Sequence, residues 1–226
     1  MKSTFIEQLK GCDFSAVLDA SISKHQFAKL DLSIDNPDLK RIDVTSSKKI
    51  GDYINKVKKE QDAIVAYGGY LEKRDIYNRS AHFCSRDLAP ERNIHLGIDL
   101  WLEEGAPLFA PLDGEVHSFK NNKNFGDYGP TIILEHKLGG HVFYTLYGHL
   151  SLSSIEHVKS KQKVYKGNPI GYLGDSTVNG DYAPHLHFQV IIDLQGFWGD
   201  YPGVCSTVDL GFYKNNCPNP EVILKL

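Results

Sequence analysis

The sequence lacks several features that would assign it to a protein class at once. Its formal net charge is -3, which argues against a basic surface for nucleic acid. No apolar run approaches the roughly 20 residues of a membrane-spanning helix. The stretch MKSTFIEQLKGCDF has no apolar core of the kind found in secretory signals. We therefore expect a cytoplasmic protein without a transmembrane segment, or an exported one if a native leader is missing.

Cysteine is also scarce. The four cysteines are Cys12, Cys84, Cys205 and Cys217, and none of them forms a Cys-x-x-Cys pair. This spacing argues against a cysteine-based zinc site. In the cytoplasm we expect free thiols, whereas Cys205 and Cys217 could form a disulfide in an exported protein.

Two patterns divide the chain, and we predict a small α+β region of unknown role over residues 1–64. Thr4 and Glu7 have the spacing of a capping box at the start of a helix. The stretch from Phe27 to Val44 alternates around an Asn-Pro break, which predicts two strands joined by a turn. A second helix is predicted after Ser46 or Ser47. The region either packs against the rest of the chain or covers its groove.

From Ile94 onward, short apolar segments alternate with Gly, Pro, Asn and Asp. This rhythm predicts a mainly β fold, a compact antiparallel β-sandwich or barrel. We place this β domain, together with a C-terminal extension, over residues 65–226. Asp113-Gly114 and Gly139-Gly140 have the composition of hairpin turns.

Four of the 10 histidines stand apart from the rest. His185 and His187 are two residues apart in the strand-like APHLHFQV, so their side chains point to the same side. His95 and Asp99 frame HLGID and would share a face in a regular strand, with Gly97 between them. His149 ends the strand-like LYGHL. For the other histidines we expect surface or structural roles, although His117, His136 and His141 could line a groove.

Several imidazoles with one carboxylate are typical ligands of a divalent metal such as zinc. Catalytic zinc sites commonly use three protein ligands and leave the fourth position for water. Histidines left over nearby would serve as proton shuttles or as donors to a developing oxyanion.

In this order, HLGIDL, GAPLFAPLDGEV, LYGHLS, KVYKGNPIGYLGDS and APHLHFQV resemble the lysostaphin/LytM-type zinc metallopeptidases, from about Tyr67 to Asp193. The resemblance implies the duplicated hybrid motif fold and one zinc ion held by His95, Asp99 and His187. It also implies a catalytic pair, His149 and His185. The implied substrate is a peptide or a peptidoglycan-derived peptide, and the implied activity is that of an endopeptidase.

The sequence departs from the family pattern at two positions of interest. Gln189 stands where a Glu often follows His-Leu-His-Phe, and the segment DSTVNGDYA before His-x-His is longer and more acidic than usual. That segment would border the groove, so substrate preference stays open. Two alternatives are kept: a small-molecule amide hydrolase in the cytoplasm, and a non-catalytic peptide-binding or regulatory module.

Overall fold

The computed structural model describes residues 2–79 and 90–226. Within these ranges the α-helices are α1 (Lys2–Gly11), α2 (Ser47–Glu60), α3 (Ser153–Glu156), α4 (Leu210–Asn216) and α5 (Glu221–Leu224). Short 3-10 helices span Lys24–Gln26, Pro37–Arg41 and Ile76–Arg79. The strands are β1 (Phe27–Lys29), β2 (Val65–Gly68), β3 (Ile94–His95), β4 (Ile98–Trp101), β5 (Pro107–Phe109), β6 (Gly114–Asn122), β7 (Gly129–Leu138), β8 (His141–Gly148), β9 (Lys163–Val164), β10 (Pro169–Tyr172), β11 (His185–Ile191) and β12 (Val204–Cys205). None of the described helices is long and apolar enough to cross a membrane.

The described residues form one large β-sheet and two small ones. The eight strands of the large sheet run in the order β1-β2-β4-β11-β8-β7-β6-β9. Strands β1 and β2 are parallel, and all other neighbours are antiparallel. Two smaller antiparallel sheets pair β5 with β10 and β3 with β12. The fold is mainly β, as the spacing of the apolar segments predicts.

Of the two predicted hairpins, one is confirmed and one is wrong. Gly139 and Gly140 join β7 to β8 with φ of +55° and +81°, a conformation that glycine adopts without strain. At Asp113-Gly114 there is no hairpin, because β5 pairs with β10 while β6 pairs with β7 and β9. Gly114 serves close approach instead: a Cβ there would lie 2.4 Å from the backbone oxygen of Glu135 on β7.

Of the predictions for residues 1–64, helix α2 is confirmed, and the first helix cap and the second strand are wrong. Helix α2 is confirmed, with Ser46 at its N-cap accepting from the backbone N–H of Lys49. The cap at Thr4 is wrong, since α1 begins at Lys2. The predicted second strand after β1 is a 3-10 helix, because Asn36 accepts from Asp38 N–H and Pro37 fits the first helical position.

The N-terminal segment and the β-rich part share one sheet and one buried cluster. The β1–β2 ladder aligns Phe27 with Val65. A hydrophobic cluster joins N-terminal side chains to residues beyond position 100; its buried members are Leu30, Leu32, Leu39, Ile50, Ile54, Ala66, Ile76, Tyr77, Trp101, Tyr182 and Val204. The segment therefore packs against the sheet. The domain boundary after residue 64 stays a prediction.

The cysteines of the described residues are free thiols. Cys205 and Cys217 are buried and unbridged, and Cys12 is half-buried. Burial raises the pKa of Cys205 to about 11 and that of Cys217 to about 12, so both thiols are protonated at neutral pH. Cys84 lies outside the described residues.

Candidate metal centre

Three of the candidate residues converge at the middle of the sheet. Strands β4 and β11 are antiparallel neighbours, and their register sets His187 opposite Asp99. His95 reaches the same point from β3. His95 Nε2 lies 2.8 Å from His187 Nδ1, and each of these nitrogens lies 3.2 Å from Asp99 Oδ1. Three ligand atoms therefore form one small triangle, in side chains that are at most 3% exposed.

Hydrogen bonds behind the two imidazoles fix which nitrogens face the triangle. His95 Nδ1 donates to the backbone oxygen of Gly69 at 2.9 Å, and His187 Nε2 donates to Gln189 Oε1 at 2.9 Å. The amide of Gln189 is oriented by its own bond to Pro202 O. Each ring then presents an unprotonated nitrogen to the triangle. Partners of this kind orient metal-ligating histidines in proteins.

The triangle fits a zinc ion. A tetrahedron with zinc–ligand distances of about 2.0–2.2 Å has edges of about 3.3–3.6 Å, close to two of the three observed separations. The donor set of two imidazoles and one carboxylate is the one zinc commonly takes. Burial raises the pKa of Asp99, but His95 and Arg74 outweigh it and hold that pKa well below its usual range. The carboxylate is thus ionised, as a ligand must be.

The second oxygen of Asp99 is held by an arginine. Arg74 Nη1 donates to Asp99 Oδ2 at 2.6 Å, and the guanidinium also pairs with Glu72. The Arg74 side chain is 4% exposed and lies over the ring of Trp101. This contact fixes the rotation of the carboxylate, so that Oδ1 faces the two imidazoles.

The two remaining candidates lie side by side next to the triangle. The ring centroids of His149 and His185 are 4.2 Å apart. His149 Nδ1 donates to Asn179 O and His185 Nδ1 donates to Ala183 O, both at 2.8 Å. Each ring therefore keeps an unprotonated Nε2, and His185 Nε2 lies 3.8 Å from Asp99 Oδ1. Burial lowers the pKa of both histidines.

His149 occupies an unusual backbone conformation. Its φ is +64°, in the left-handed region that non-glycine residues seldom adopt. It follows the last residue of β8, and its N–H donates to Tyr128 O. The alternation of β8 does not continue through this residue. Such strain is commonly found at functional sites.

The expected single strand through HLGID is wrong. His95 ends β3 and Asp99 lies in β4, with Leu96 and Gly97 between the strands. The residues still meet, because the chain turns at Gly97. A Cβ at Gly97 would lie 2.7 Å from the His187 ring. Glycine is therefore needed there to admit that ring.

The other described histidines lie away from this centre. His25 and His157 are exposed, as expected. His117 packs against Tyr144 and Trp198, and His141 against Phe5. His136 is fully buried on β7, and none of these five lines the pocket above the triangle. His82 lies outside the described residues.

The sequence motifs do not name several residues of the site, although two of them have a weaker signal in the sequence. Trp101 stacks on His185 at 5.5 Å, and strand alternation places it on the same face as Asp99. Tyr182 packs edge-on against His149 and His185, in the segment expected to border the groove. Arg74 and Tyr128 are brought in only by the fold. Tyr128 Oη lies 3.3 Å from His187 Nε2.

A pocket of about 290 Å³ opens above the triangle. Residues of the N-terminal half form one wall: Leu32, Ser47, Ile50, Ile76 and Tyr77. Residues 197–204 contribute a second group of lining side chains: Phe197, Asp200, Tyr201, Pro202, Gly203 and Val204.

Part of the chain is similar to known peptidases. Residues 93–196 match the model of peptidase family M23. An uncharacterized metalloprotease of Haemophilus influenzae is 35% identical over 99 residues, 44% of this chain and 19% of that protein. The peptidoglycan DD-endopeptidase ShyA of Vibrio cholerae is 33% identical over 115 residues, 50% of this chain and 23% of that protein. The match spans about a fifth of the length of these curated relatives.

Among solved structures, the chain is similar to the catalytic domain of the antimicrobial peptidase lysostaphin from Staphylococcus simulans. The sequence identity is 22% and the TM-score is 0.44. The likeness covers 73% of this chain and 97% of that one.

Proposed function

We propose that this chain, whose residues 93–196 match the model of peptidase family M23, is a zinc-dependent metallopeptidase that hydrolyses a peptide amide bond in peptidoglycan or a related peptide. The observation that carries the proposal is the triangle of His95 Nε2, Asp99 Oδ1 and His187 Nδ1, with His149 and His185 beside it. His95, Asp99 and His187 would hold the ion. A bound zinc ion supplies an acidified water and a Lewis acid for the amide carbonyl.

The chain's own residues supply proton transfer. His149 and His185 each present an unprotonated Nε2, because backbone carbonyls hold the proton on Nδ1. Either ring can accept a proton at Nε2 from the attacking water, and the protonated ring can donate to the leaving amine or to the oxyanion. Because both rings have the same pattern, a protonated Nδ1 and an unprotonated Nε2, either ring can take either role. Retention of all five residues favours catalysis over peptide binding alone.

The names of similar proteins support the substrate class. ShyA of Vibrio cholerae is named a peptidoglycan DD-endopeptidase, and Mpg of Neisseria meningitidis is named a DD-carboxypeptidase/endopeptidase. The pocket above the triangle gives a peptide access to the centre.

The test is zinc content and amide hydrolysis with the same protein sample. Purified protein should bind one zinc ion per chain and release new amines from peptidoglycan or from peptides derived from it. A His149→Ala, His185→Ala double variant should bind zinc and release none. If the protein carried no stoichiometric metal and gained none from added zinc, the proposal would fall.

A further inference from the structure

The segment DSTVNGDYA, residues 175–183, contacts the two histidines that lie beside the triangle. Resting on the metallopeptidase function proposed above, we propose that Asn179 is a positioning residue for both of them. It sets the tautomer and the orientation of His149, and it holds the backbone that orients His185. The segment, which departs from the family pattern and lines the pocket through Tyr182 and Ala183, thereby acts on proton transfer.

Hydrogen bonds form a closed cycle between His149, Gly174 and Asn179. His149 Nδ1 donates to the backbone oxygen of Asn179 at 2.8 Å. Asn179 Nδ2 donates to Gly174 O at 3.3 Å, and the N–H of Gly174 donates to His149 O at 2.9 Å. A carbonyl oxygen can only accept, so the proton of the neutral ring lies on Nδ1. His149 Nε2 is therefore left free to accept a proton.

The side chain of Asn179 also fixes the chain that leads into β11. Its Oδ1 accepts from the N–H of Tyr182 at 2.9 Å, and its Nδ2 donates to Tyr182 O at 3.1 Å. The next residue is Ala183, whose backbone oxygen accepts from His185 Nδ1 at 2.8 Å. The ring of Tyr182 packs edge-on against both histidines, with centroid distances of 5.2 Å to His149 and 5.7 Å to His185. One asparagine therefore holds the backbone behind both rings.

The amide group of Asn179 matches its surroundings. The residue is fully buried, and its side chain makes two donated bonds and one accepted bond, all to backbone groups. An ionised aspartate has the same shape but no donor for the carbonyl oxygens of Gly174 and Tyr182. Alanine would leave these buried groups without this partner, which is costly, so the loop would have to move.

Contacts on its outer side restrain the same loop. The N–H of Gly126 donates to Gly180 O at 3.0 Å. Gly180 has a φ of +85° and lies so close to Asp127 that a Cβ would collide with the backbone oxygen of that residue. Ser47 Oγ of α2 donates to Asp181 Oδ1 at 3.0 Å. The loop is therefore held in the place that the hydrogen-bond cycle requires.

The experiment compares two buried asparagines. Asn179→Ala and Asn36→Ala each remove three side-chain hydrogen bonds, and the two side chains are at most 7% exposed. Asn36 caps the 3-10 helix Pro37–Arg41 and does not line the pocket above the triangle. It is therefore a control for the general effect of losing a buried amide.

We expect the two variants to differ in kcat on a peptidoglycan-derived peptide. Asn179→Ala should lower kcat by about 10–100-fold, the usual cost of a misplaced catalytic group. KM should change by less than about twofold, because substrate binding is retained. Zinc content should stay at one ion per chain, since Asn179 makes no hydrogen bond to His95, Asp99 or His187. Asn36→Ala should keep the kcat of the wild type.

Ring-nitrogen NMR gives a readout that a loss of stability alone does not change. In ¹⁵N-labelled, zinc-loaded wild-type protein, we expect neutral rings of His149 and His185 with the hydrogen on Nδ1. The signals of His149 are assigned from their absence in His149→Gln. In Asn179→Ala they should shift toward the tautomer with the hydrogen on Nε2, whereas Asn36→Ala should match the wild type.

The outcomes separate this role from the metallopeptidase function. A wild-type protein that binds zinc but cleaves no peptide would overturn that function, and the spectra would still decide the role of Asn179. Cleavage with kcat unchanged in Asn179→Ala, or reduced equally in Asn36→Ala, would overturn the positioning role. If Asn179→Ala does not fold, the wild-type spectrum decides: hydrogen on Nδ1 of His149 supports the role, and hydrogen on Nε2 overturns it.

Discussion

Among the described residues, His136 is buried, as are His95 and His187 of the metal centre, but the ring nitrogens of these histidines face different groups. His136 on β7 has a protein partner for each nitrogen, Asp113 O at 2.9 Å and Thr145 Oγ1 at 2.8 Å. His95 and His187 each have one nitrogen bonded to the protein behind them, while the other nitrogens face each other and Asp99.

The difference shows that burial alone does not identify a functional histidine. Both ring nitrogens of His136 have hydrogen-bond partners within the protein, so this histidine has a structural role and needs no ligand. His95 and His187 instead place two imidazole lone pairs and the carboxylate of Asp99 within 3.2 Å of one another. A cation stabilises this arrangement. The substitutions that follow alter either the metal centre and its neighbours or His136.

The largest effect is expected from removing a ligand. His187→Ala should abolish stoichiometric zinc binding and lower kcat/KM by more than about 1,000-fold, because the acidified water is lost. His136→Gln should retain zinc and activity. Metal analysis of the purified proteins measures the first effect, and amine release measures the second. Zinc retained in His187→Ala would remove this residue from the ligand set.

A smaller effect is expected from the neighbouring pair. His149→Ala should keep one zinc per chain but lower kcat/KM by about 10²–10⁴-fold, the usual contribution of a proton-transferring group. Loss of zinc from this variant would instead make His149 a ligand.

Substitution of Arg74 tests whether its hydrogen bond to Asp99 Oδ2 strengthens zinc binding. Arg74→Met should weaken zinc binding by about 10–100-fold, since groups that orient a ligand typically contribute that much. Arg79→Met is the matched control, because Arg79 pairs with Asp181 and not with a candidate ligand. Competition with a chelator measures both affinities. Equal affinities for the two variants would show that the Arg74–Asp99 bond does not orient the site.

The remaining prediction concerns how His136 makes the free energy of unfolding depend on pH. Burial lowers its pKa to about 4, below the usual 6.5, so the unfolded chain binds the extra proton between these values. Stability should be full above pH 6.5 and decrease as the pH falls toward 4, by up to about 3 kcal/mol. His136→Gln should show a shallower decrease in urea unfolding over this range. Identical slopes would contradict a buried neutral imidazole.

The sequence predicts those parts of the fold that depend on local residue patterns. The apolar rhythm after Ile94 predicts the β-rich part, and the periodicity after Ser46 predicts α2. Strand alternation brings His185 and His187 to one face. The five candidate residues are named from their motif order because the resemblance to a known family spans all of them.

The remaining parts depend on contacts between distant segments. Arg74 reaches Asp99 across 25 positions, and Ser47 reaches Asp181 across 134. Nothing local to these residues signals the contact. After Asn36 the alternation of apolar residues predicts a strand, but the capping side chain of Asn36 and the fixed φ of Pro37 favour the 3-10 helix that forms there. Asp113-Gly114 failed as a hairpin because its glycine serves packing against β7.

We propose that His95, Asp99 and His187 hold one zinc ion. Anomalous X-ray scattering at the zinc edge, from crystals of the zinc-loaded protein, would locate this ion directly. We expect one peak per chain within about 2.0–2.2 Å of His95 Nε2, Asp99 Oδ1 and His187 Nδ1. A fully loaded crystal with no peak at this position, or with its peak at other side chains, would contradict it.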